Sequence, residues 1–272
     1  MATSTISSPR SARRDRIPVR KISEADLRAS LKQGWEDFTD VRGDIFFAGL
    51  IYTLLGLAAV VMTTSKPLIP YFFPVVAGVG LLGPVAAVGF YELAKRREAG
   101  QEVHWFNFID VRKRPSVDDM GIVAGLLLAI FALWLLAAGI MYVTLFGWGT
   151  PTSVTGFLAS VFTTPTGWAL IALGAVVGAV FAWVVLALSV ASLPLLVDRN
   201  VNAAQAVSAS WRAAHANKPE MIRWGLTVAA LLVLGSIPLF VGLAVVLPWL
   251  GYSTWHLYTR LIDRSAIAPR GK

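Results

Sequence analysis

The sequence contains no cysteine, which excludes disulfide frameworks, thiolate nucleophiles and Cys-ligated metal centres. Histidine is scarce as well, with three residues in a chain of 272. Charge is absent from long stretches: Ile45 to Ser65, Pro67 to Tyr91, Met120 to Val197 and Trp224 to Thr259 run for 21, 25, 78 and 36 residues without Asp, Glu, Lys or Arg. Such runs exceed what a soluble domain hides and mark a polytopic membrane protein. Of the ionisable residues only His256 falls inside them, so the apolar interior has no set of groups for a proton relay or ion-coupled transport.

What is present gives a topology. A helix rises ~1.5 Å per residue and must cross ~30 Å of hydrocarbon. The predicted spans are about 45–63, 70–91, 120–146, 167–197, 222–236 and 239–258. The last two come from one apolar stretch divided by a turn at Gly235-Ser236-Ile237-Pro238, which carries the Gly and Pro of a tight hairpin. Charge orients them. Lys and Arg number nine before Ile45, one at Lys66, six between Tyr91 and Met120, none from Gly147 to Thr166, four from Arg199 to Arg223 and four after Thr259. The positive-inside rule then places both termini in the cytoplasm. Gly147 to Thr166 reads as an uncharged outer loop.

Tryptophan follows the same plan. Trp35, Trp105, Trp211, Trp224, Trp249 and Trp255 fall near the inner face or at helix ends, and Trp148 and Trp168 flank the outer loop, as in an aromatic belt. Trp134 and Trp183 are mid-span and read as packing residues.

A threefold pattern runs through the chain. Ser23 to Asp26 forms a capping box, with Leu27, Leu31, Trp35 and Phe38 behind it at helical spacing. Asn202 caps a similar segment in which Ala204, Val207, Trp211 and Ala214 form the stripe, with Arg212, His215 and Lys218 off it. Trp35 precedes Gly49 by the same interval as Trp211 precedes Gly225. A weaker middle copy, Val103 to Val111, carries Trp105, Phe106 and Phe108. The hairpin ends echo one another too: Leu196-Val197-Asp198-Arg199, Leu261-Ile262-Asp263-Arg264, and Tyr91-Glu92 before Lys95-Arg96-Arg97. The fold class expected is therefore all-α, a membrane bundle of six transmembrane helices in three hairpins, each preceded by a cytoplasmic amphipathic segment. Residues 1–22 read as a disordered basic tail, 23–264 as the membrane domain and 265–272 as a second basic tail. The Ser, Thr and Arg content of the first tail also suits a transit peptide, and Arg13-Arg14 a twin-arginine signal, although no apolar region follows until Ile45.

Chemistry-bearing patterns are few. Gly78 to Gly83 matches the dinucleotide fingerprint but lies inside a span, where it serves as a packing face. Gly121 with Gly125, and Gly174 with Gly178 and Ala182, are spaced by four and predict close helix contacts, within the chain or between copies. His256 reads as an interfacial histidine bonded to backbone or water. His104 and His215 have no ligand partners at metal spacing, and a haem held between histidines would need a second one in a span. Ser189 and Ser192 are expected to bond to the backbone. Glu92, Asp198 and Asp263 are expected to pair locally with arginines at the membrane surface, worth ~0 to 1 kcal/mol each. No catalytic residue, cofactor site or metal site is assigned.

Gly34-Trp35-Glu36-Asp37-Phe38, Leu82-Gly83-Pro84 with Tyr91-Glu92 and Arg96-Arg97-Glu98, Ser192-Leu193-Pro194 with Asp198-Arg199, and Leu247-Pro248 with Gly251 to His256 carry a resemblance. Over roughly residues 23–264 the chain resembles the bacterial integral membrane proteins of domain of unknown function 2189. The resemblance implies the inner membrane of a bacterium and supplies no activity. Some members bear an oxidase-subunit label, from which this chain departs, since a haem-copper subunit needs several intramembrane histidines.

The expectation that follows is a non-enzymatic inner-membrane protein that scaffolds or assists assembly of another membrane complex, its contacts drawn from Trp35, Glu92, Asp198, Arg199, Trp211 and His256. The alternative is a carrier or flippase for a lipid or apolar molecule, with Arg96, Arg97, Arg112, Lys113 and Arg114 holding an acidic head group. Expected partners are the bilayer, anionic lipid head groups at the cytoplasmic face, and a membrane protein or a second copy of the chain. Nucleic acid is not among them.

Overall fold

The computed structural model describes residues 16–41, 66–71, 74–75, 83–151, 153–238 and 241–267. The expected first span, the second as far as Leu82 apart from a few residues, residues 1–15 and residues 268–272 lie outside them. The described chain is helical, and its one isolated β-bridge joins Val19 to Ile262.

Helix α1 spans Glu24–Asp40 and opens on the expected capping box, with Ser23 and Asp26 satisfying each other's backbone. Its neighbour in space is the last long helix, α9 (Leu243–Leu261). The two approach closely because Gly34 has no side chain: a Cβ there would lie 2.2 Å from Ser253 Oγ and 2.5 Å from the Ser253 amide nitrogen. The buried face of α1 is Leu27, Ser30, Gly34, Asp37 and Phe38. It differs from the expected apolar stripe in that Trp35 points outward, 42% exposed. Small and polar residues are buried instead because α9 supplies the groups that pair with them.

After a 3₁₀ turn at Lys66–Tyr71 and a single helical turn at Gly83–Ala86, helix α2 runs from Val88 to Glu98. Among the described residues, the expected second span is interrupted as a helix at Ala87. Its end, from Val88 to Ala94, is fully enclosed by protein. Trp105–Lys113 forms a 3₁₀ helix that lies on α2, with Phe108 packed edge-on against Phe90 at 5.0 Å.

Two helices are long and apolar enough to cross a bilayer among the described residues: α3 (Val117–Phe146), and α5 (Pro165–Ser189) with its continuation α6 (Ser192–Asp198). On α3, Met120, Val123, Leu127, Ile130, Trp134 and Ala138 recur at helical spacing and are buried. Ile122, Leu126, Leu133, Leu136 and Ile140 stand outward, and in the most apolar part of Pro165–Asp198 only 6% is buried. A naked apolar surface of that extent suits hydrocarbon rather than water.

The expected outer loop is not all loop. Val154–Thr163 forms α4, capped by Ser153, and buries Phe157 and Val161 against Ile69, Leu170 and Ile171. The return into α5 is tight enough that a Cβ on Gly167 would meet the Val161 carbonyl at 2.2 Å. Helix α7 (Ala203–Ala216) opens on the capping box of Asn202 and Gln205 and packs on α5 and α6. Its buried face is Ala203, Ala206, Ala209, Ser210, Ala213 and Ala214. Trp211 of the expected stripe is 38% exposed, and the small residues turn inward to let the helices touch.

Helix α8 (Lys218–Ser236) and α9 are separated at the Gly235 to Pro238 turn, as expected. The two-span reading of this stretch does not follow from the geometry. From Trp224 to Ser236 α8 has ~20 Å of apolar length at the usual rise, short of the ~30 Å core. The second half of α9, from Leu250 to Leu261, is largely buried against α1 and α2. The packing nonetheless repeats. Each amphipathic segment lies on the closing helix of another unit: α1 on α9, Trp105–Lys113 on α2, and α7 on α5 and α6.

Residues 17–22 are held across this closure. Arg20 N donates to the Leu261 carbonyl at 2.8 Å, and Asp263 N to that of Pro18 at 3.1 Å. The fully buried Asn217 accepts from Ile22 N at 3.0 Å and donates to the Arg20 carbonyl at 3.0 Å.

Candidate functional site

The ends of the three units meet in one layer of ion pairs, and α2 is its hub. Four successive residues of this helix, Lys95 to Glu98, each reach a different element. Because a helix turns ~100° per residue, consecutive side chains fan outward, and α2 is surrounded on all sides.

At its centre Glu92 has no exposed surface. Arg96 Nε donates to its Oε1 at 2.8 Å, and Arg114, arriving from the start of α3, donates through Nε to Oε2 at 2.9 Å and through Nη2 to Oε1 at 2.8 Å. Arg96 also binds Asp110 at 3.0 Å, and Asp110 in turn accepts from Asn107 and Lys113 at 2.8 Å. Lys95 Nζ donates to the Val197 carbonyl at 2.8 Å and lies 4.0 Å from Asp198 Oδ1. Burial pushes the Lys95 ammonium below its ordinary pKa, Arg114 adds to the effect, and Asp198 and Glu92 oppose it.

Asp198 ends α6 and is buried. Its Oδ2 accepts from the Tyr258 hydroxyl at 2.9 Å and from Arg199 at 3.1 Å, with Arg264 at 3.5 Å. Arg264 forms a fork on Glu98, at 2.5 and 3.1 Å, and Trp255 Nε1 donates to the same carboxylate at 3.1 Å. Burial works to raise the pKa of Glu98, but the hydrogen bond and charge of Arg264 outweigh it and hold the carboxyl below its usual range. On the far side Arg97 binds Asp37 at 2.7 Å and also pairs with Asp40. His256 Nε2 sits 2.8 Å from the other Asp37 oxygen.

Several sequence expectations are revised by this geometry. Glu92 and Asp198 were expected to pair locally at an exposed surface. They are buried instead and recruit partners from distant segments. The local part of the expectation does hold for these two, through Arg96 and Arg199, whereas Asp263 stays at the surface and pairs with the sequence-remote Arg20 at 2.6 Å. His256 bonds a carboxylate rather than backbone or water. Of the cations assigned to a head group, Arg96, Arg97 and Arg114 are spent on internal carboxylates, while Arg112 and Lys113 remain at the exposed edge. Trp224 and Trp255 are buried rather than interfacial, whereas Trp148 and Trp168 are exposed. Trp134 packs, as expected, with Phe181 at 5.6 Å and donates to the Pro74 carbonyl at 2.9 Å. Ser189 and Ser192 donate to carbonyls one turn back, at 2.7 and 2.6 Å. Around Gly121, Gly125, Gly174 and Gly83 no atom of the described residues lies within 4 Å of an added Cβ, so these glycines make no close contact among them. Gly178 does, with Trp134 at 3.4 Å.

Asp37, Lys95, Glu98, Asp110, Tyr258 and Arg264 belong to the layer and were not singled out from the sequence as site residues. Lys95 and Arg264 stand in the hairpin ends that echo one another, and two more stand in the motifs of the resemblance. Asp37 lies within the Gly34 to Phe38 motif and Glu98 closes the Arg96-Arg97-Glu98 motif. Their roles stay hidden because each partner is remote in sequence. Chemically the layer is a set of compensated pairs, with both oxygens of Glu92 and of Asp37 occupied, and it locks elements rather than presenting a free base.

No curated protein and no solved structure matches this chain. A family model does, over residues 72–198, and its description is predicted integral membrane protein (DUF2189). The match begins in the second apolar run and ends on Asp198, so it takes in the α2 hub and both long apolar helices. Over that stretch the chain is similar to the DUF2189 family of predicted integral membrane proteins.

Proposed function

We propose that the protein is a non-enzymatic scaffold of the inner membrane, which holds or helps assemble another membrane complex through the outward face of α3. The single observation that supports this is the open flank around Gly121 and Gly125. The chain places two glycines one turn apart on a long apolar helix, and among the described residues nothing packs against them. In hydrocarbon, helix association is driven by van der Waals contact and close approach, which small residues at this spacing permit. The ionic layer supplies the rigid base such a scaffold needs. Both termini lie in the cytoplasm in this reading, on the ground that the basic segments collect on one side.

The test is purification of the tagged protein from its native membrane in mild detergent, with mass spectrometry of what remains bound. A stoichiometric membrane protein that is lost from the Gly121→Leu, Gly125→Leu double variant supports the scaffold. Retention of the same partner by that variant, or recovery of one specific lipid and no protein, contradicts it and favours a carrier.

A further inference from the structure

Most basic side chains on the cytoplasmic-facing segments are matched to acids. Arg20, Arg28, Lys32, Arg223 and Arg260 each pair with a carboxylate, as do those around α2. Arg112 and Lys218 stand exposed without an ion pair among the described residues, and one patch brings several unmatched cations together. It lies where residues 16–21 pass the outer side of α7.

Arg212 forms no ion pair among the described residues. One end of its guanidinium, Nη2, donates to the Ile17 carbonyl at 3.0 Å, while its Nε is buried and has no hydrogen-bond partner among the described residues. A charged donor left unmatched in a half-buried place is costly, and structures rarely tolerate one without a ligand. The adjacent cation worsens the balance: Arg16, next to the carbonyl that Arg212 reaches, is exposed. Burial first, and the Arg16 charge second, push the Arg212 pKa below its ordinary value. Close by, Lys21 donates to the Ala216 carbonyl at the end of α7, a neutral partner. The His215 ring lies 4.3 Å from that of Trp211. Trp211 itself is exposed, as a tryptophan at a membrane surface is.

We infer that Arg212 and Arg16 form a binding site for a phosphate oxyanion, bordered by Lys21 and Trp211. The chemistry suits that class. Guanidinium groups offer forked donors that match phosphate oxygens, and the exposed Arg16 beside the half-buried Arg212 brings two of them together without a carboxylate. Phosphate at this place has two sources, a lipid head group and free phosphate. The site is separate from the face of α3 and stands whether or not the scaffold reading does.

The experiment uses the full chain in a neutral maltoside detergent. Inorganic phosphate and a short-chain phosphatidylglycerol are titrated separately against Arg16→Gln, Arg212→Gln, an Arg28→Gln control and the unaltered protein. Arg16 is exposed, so its loss tests the site without disturbing the fold. Each of the two site variants weakens binding about tenfold, the usual worth of one charge-assisted contact, and Arg28→Gln leaves it unchanged. Saturable binding of both probes names free phosphate as sufficient, and binding of the lipid alone names the head group. Both outcomes support the site. Saturable binding of neither, or binding untouched by Arg16→Gln and Arg212→Gln, overturns it.

Discussion

Arg114 reaches back across 22 residues to bind both oxygens of Glu92, a carboxylate with no exposed surface. It ties the start of α3 to the centre of α2, joining the second unit to the first. Removing one partner of such a pair leaves an uncompensated buried charge, which costs ~3 to 5 kcal/mol. Arg114→Ala is therefore expected to lower the thermal unfolding midpoint of the purified protein sharply. Substituting both residues, as in Glu92→Gln with Arg114→Met, is expected to recover part of the loss. A single variant as stable as the parent would show that the pair is not buried in this way.

The α1 and α9 contact gives a steric prediction. Gly34→Ala places a methyl group 2.5 Å from the Ser253 amide nitrogen and 2.6 Å from its Cα, and backbone cannot step aside as a side chain does. Overpacking of this kind costs ~1 to 3 kcal/mol. The expected readout is faster proteolysis between α1 and the first span, with a lower thermal midpoint. Gly121→Ala, which meets open space, should leave both unchanged.

Acid should loosen the third unit. Glu98 has a folded pKa below its ordinary 4.5, held there by Arg264 against the opposing effect of burial. The stabilisation from this pair is thus fully present above pH ~4.5 and disappears as pH falls through the lower folded value. Trp255, which donates to the same carboxylate, should report the change in its fluorescence as the pH is lowered. In Glu98→Gln the pH-dependent part of the thermal midpoint shrinks. An identical acid profile for parent and variant would exclude Glu98 as its source.

Helix starts were legible in the sequence, because capping is local. Ser23 with Asp26 and Asn202 with Gln205 satisfy neighbours three residues away; the box at Ser23 and the cap at Asn202 form as expected, and Gln205 completes the second as a box. The apolar character of α3 and of Pro165–Asp198 was equally plain. Faces were harder. Apolar spacing marked the stripe that carries Trp35 and Trp211 but not the opposite face, which is buried by protein because Gly34 lets α9 come close. Helix α4 was missed because its surroundings, rich in Gly, Thr and Pro, read as loop. The ionic layer lay beyond sequence reasoning for a simple cause: Tyr258 is 60 residues from Asp198 and Arg264 is 166 from Glu98. Local patterns cannot name partners that only the fold brings together.

The length of α8 makes a topological prediction. With ~20 Å of apolar helix between Trp224 and Ser236, the α8 and α9 hairpin does not reach the outer surface. Cysteines introduced singly at Ser236 and Ile237 should resist a membrane-impermeant thiol reagent applied from outside, while one at Trp148, 89% exposed beyond the end of α3, is labelled. Equal labelling at both places would restore the two full spans.

The scaffold reading is tested most directly by a photo-crosslinking residue placed at Ile122, beside the open glycines, in the native membrane. The account predicts one discrete protein adduct from Ile122 that is lost when Gly121 and Gly125 are both replaced by leucine. It predicts none from a crosslinker at Val180, an exposed position on α5 outside the glycine flank. Lipid adducts alone from Ile122, or the same protein adduct from both positions, would contradict it.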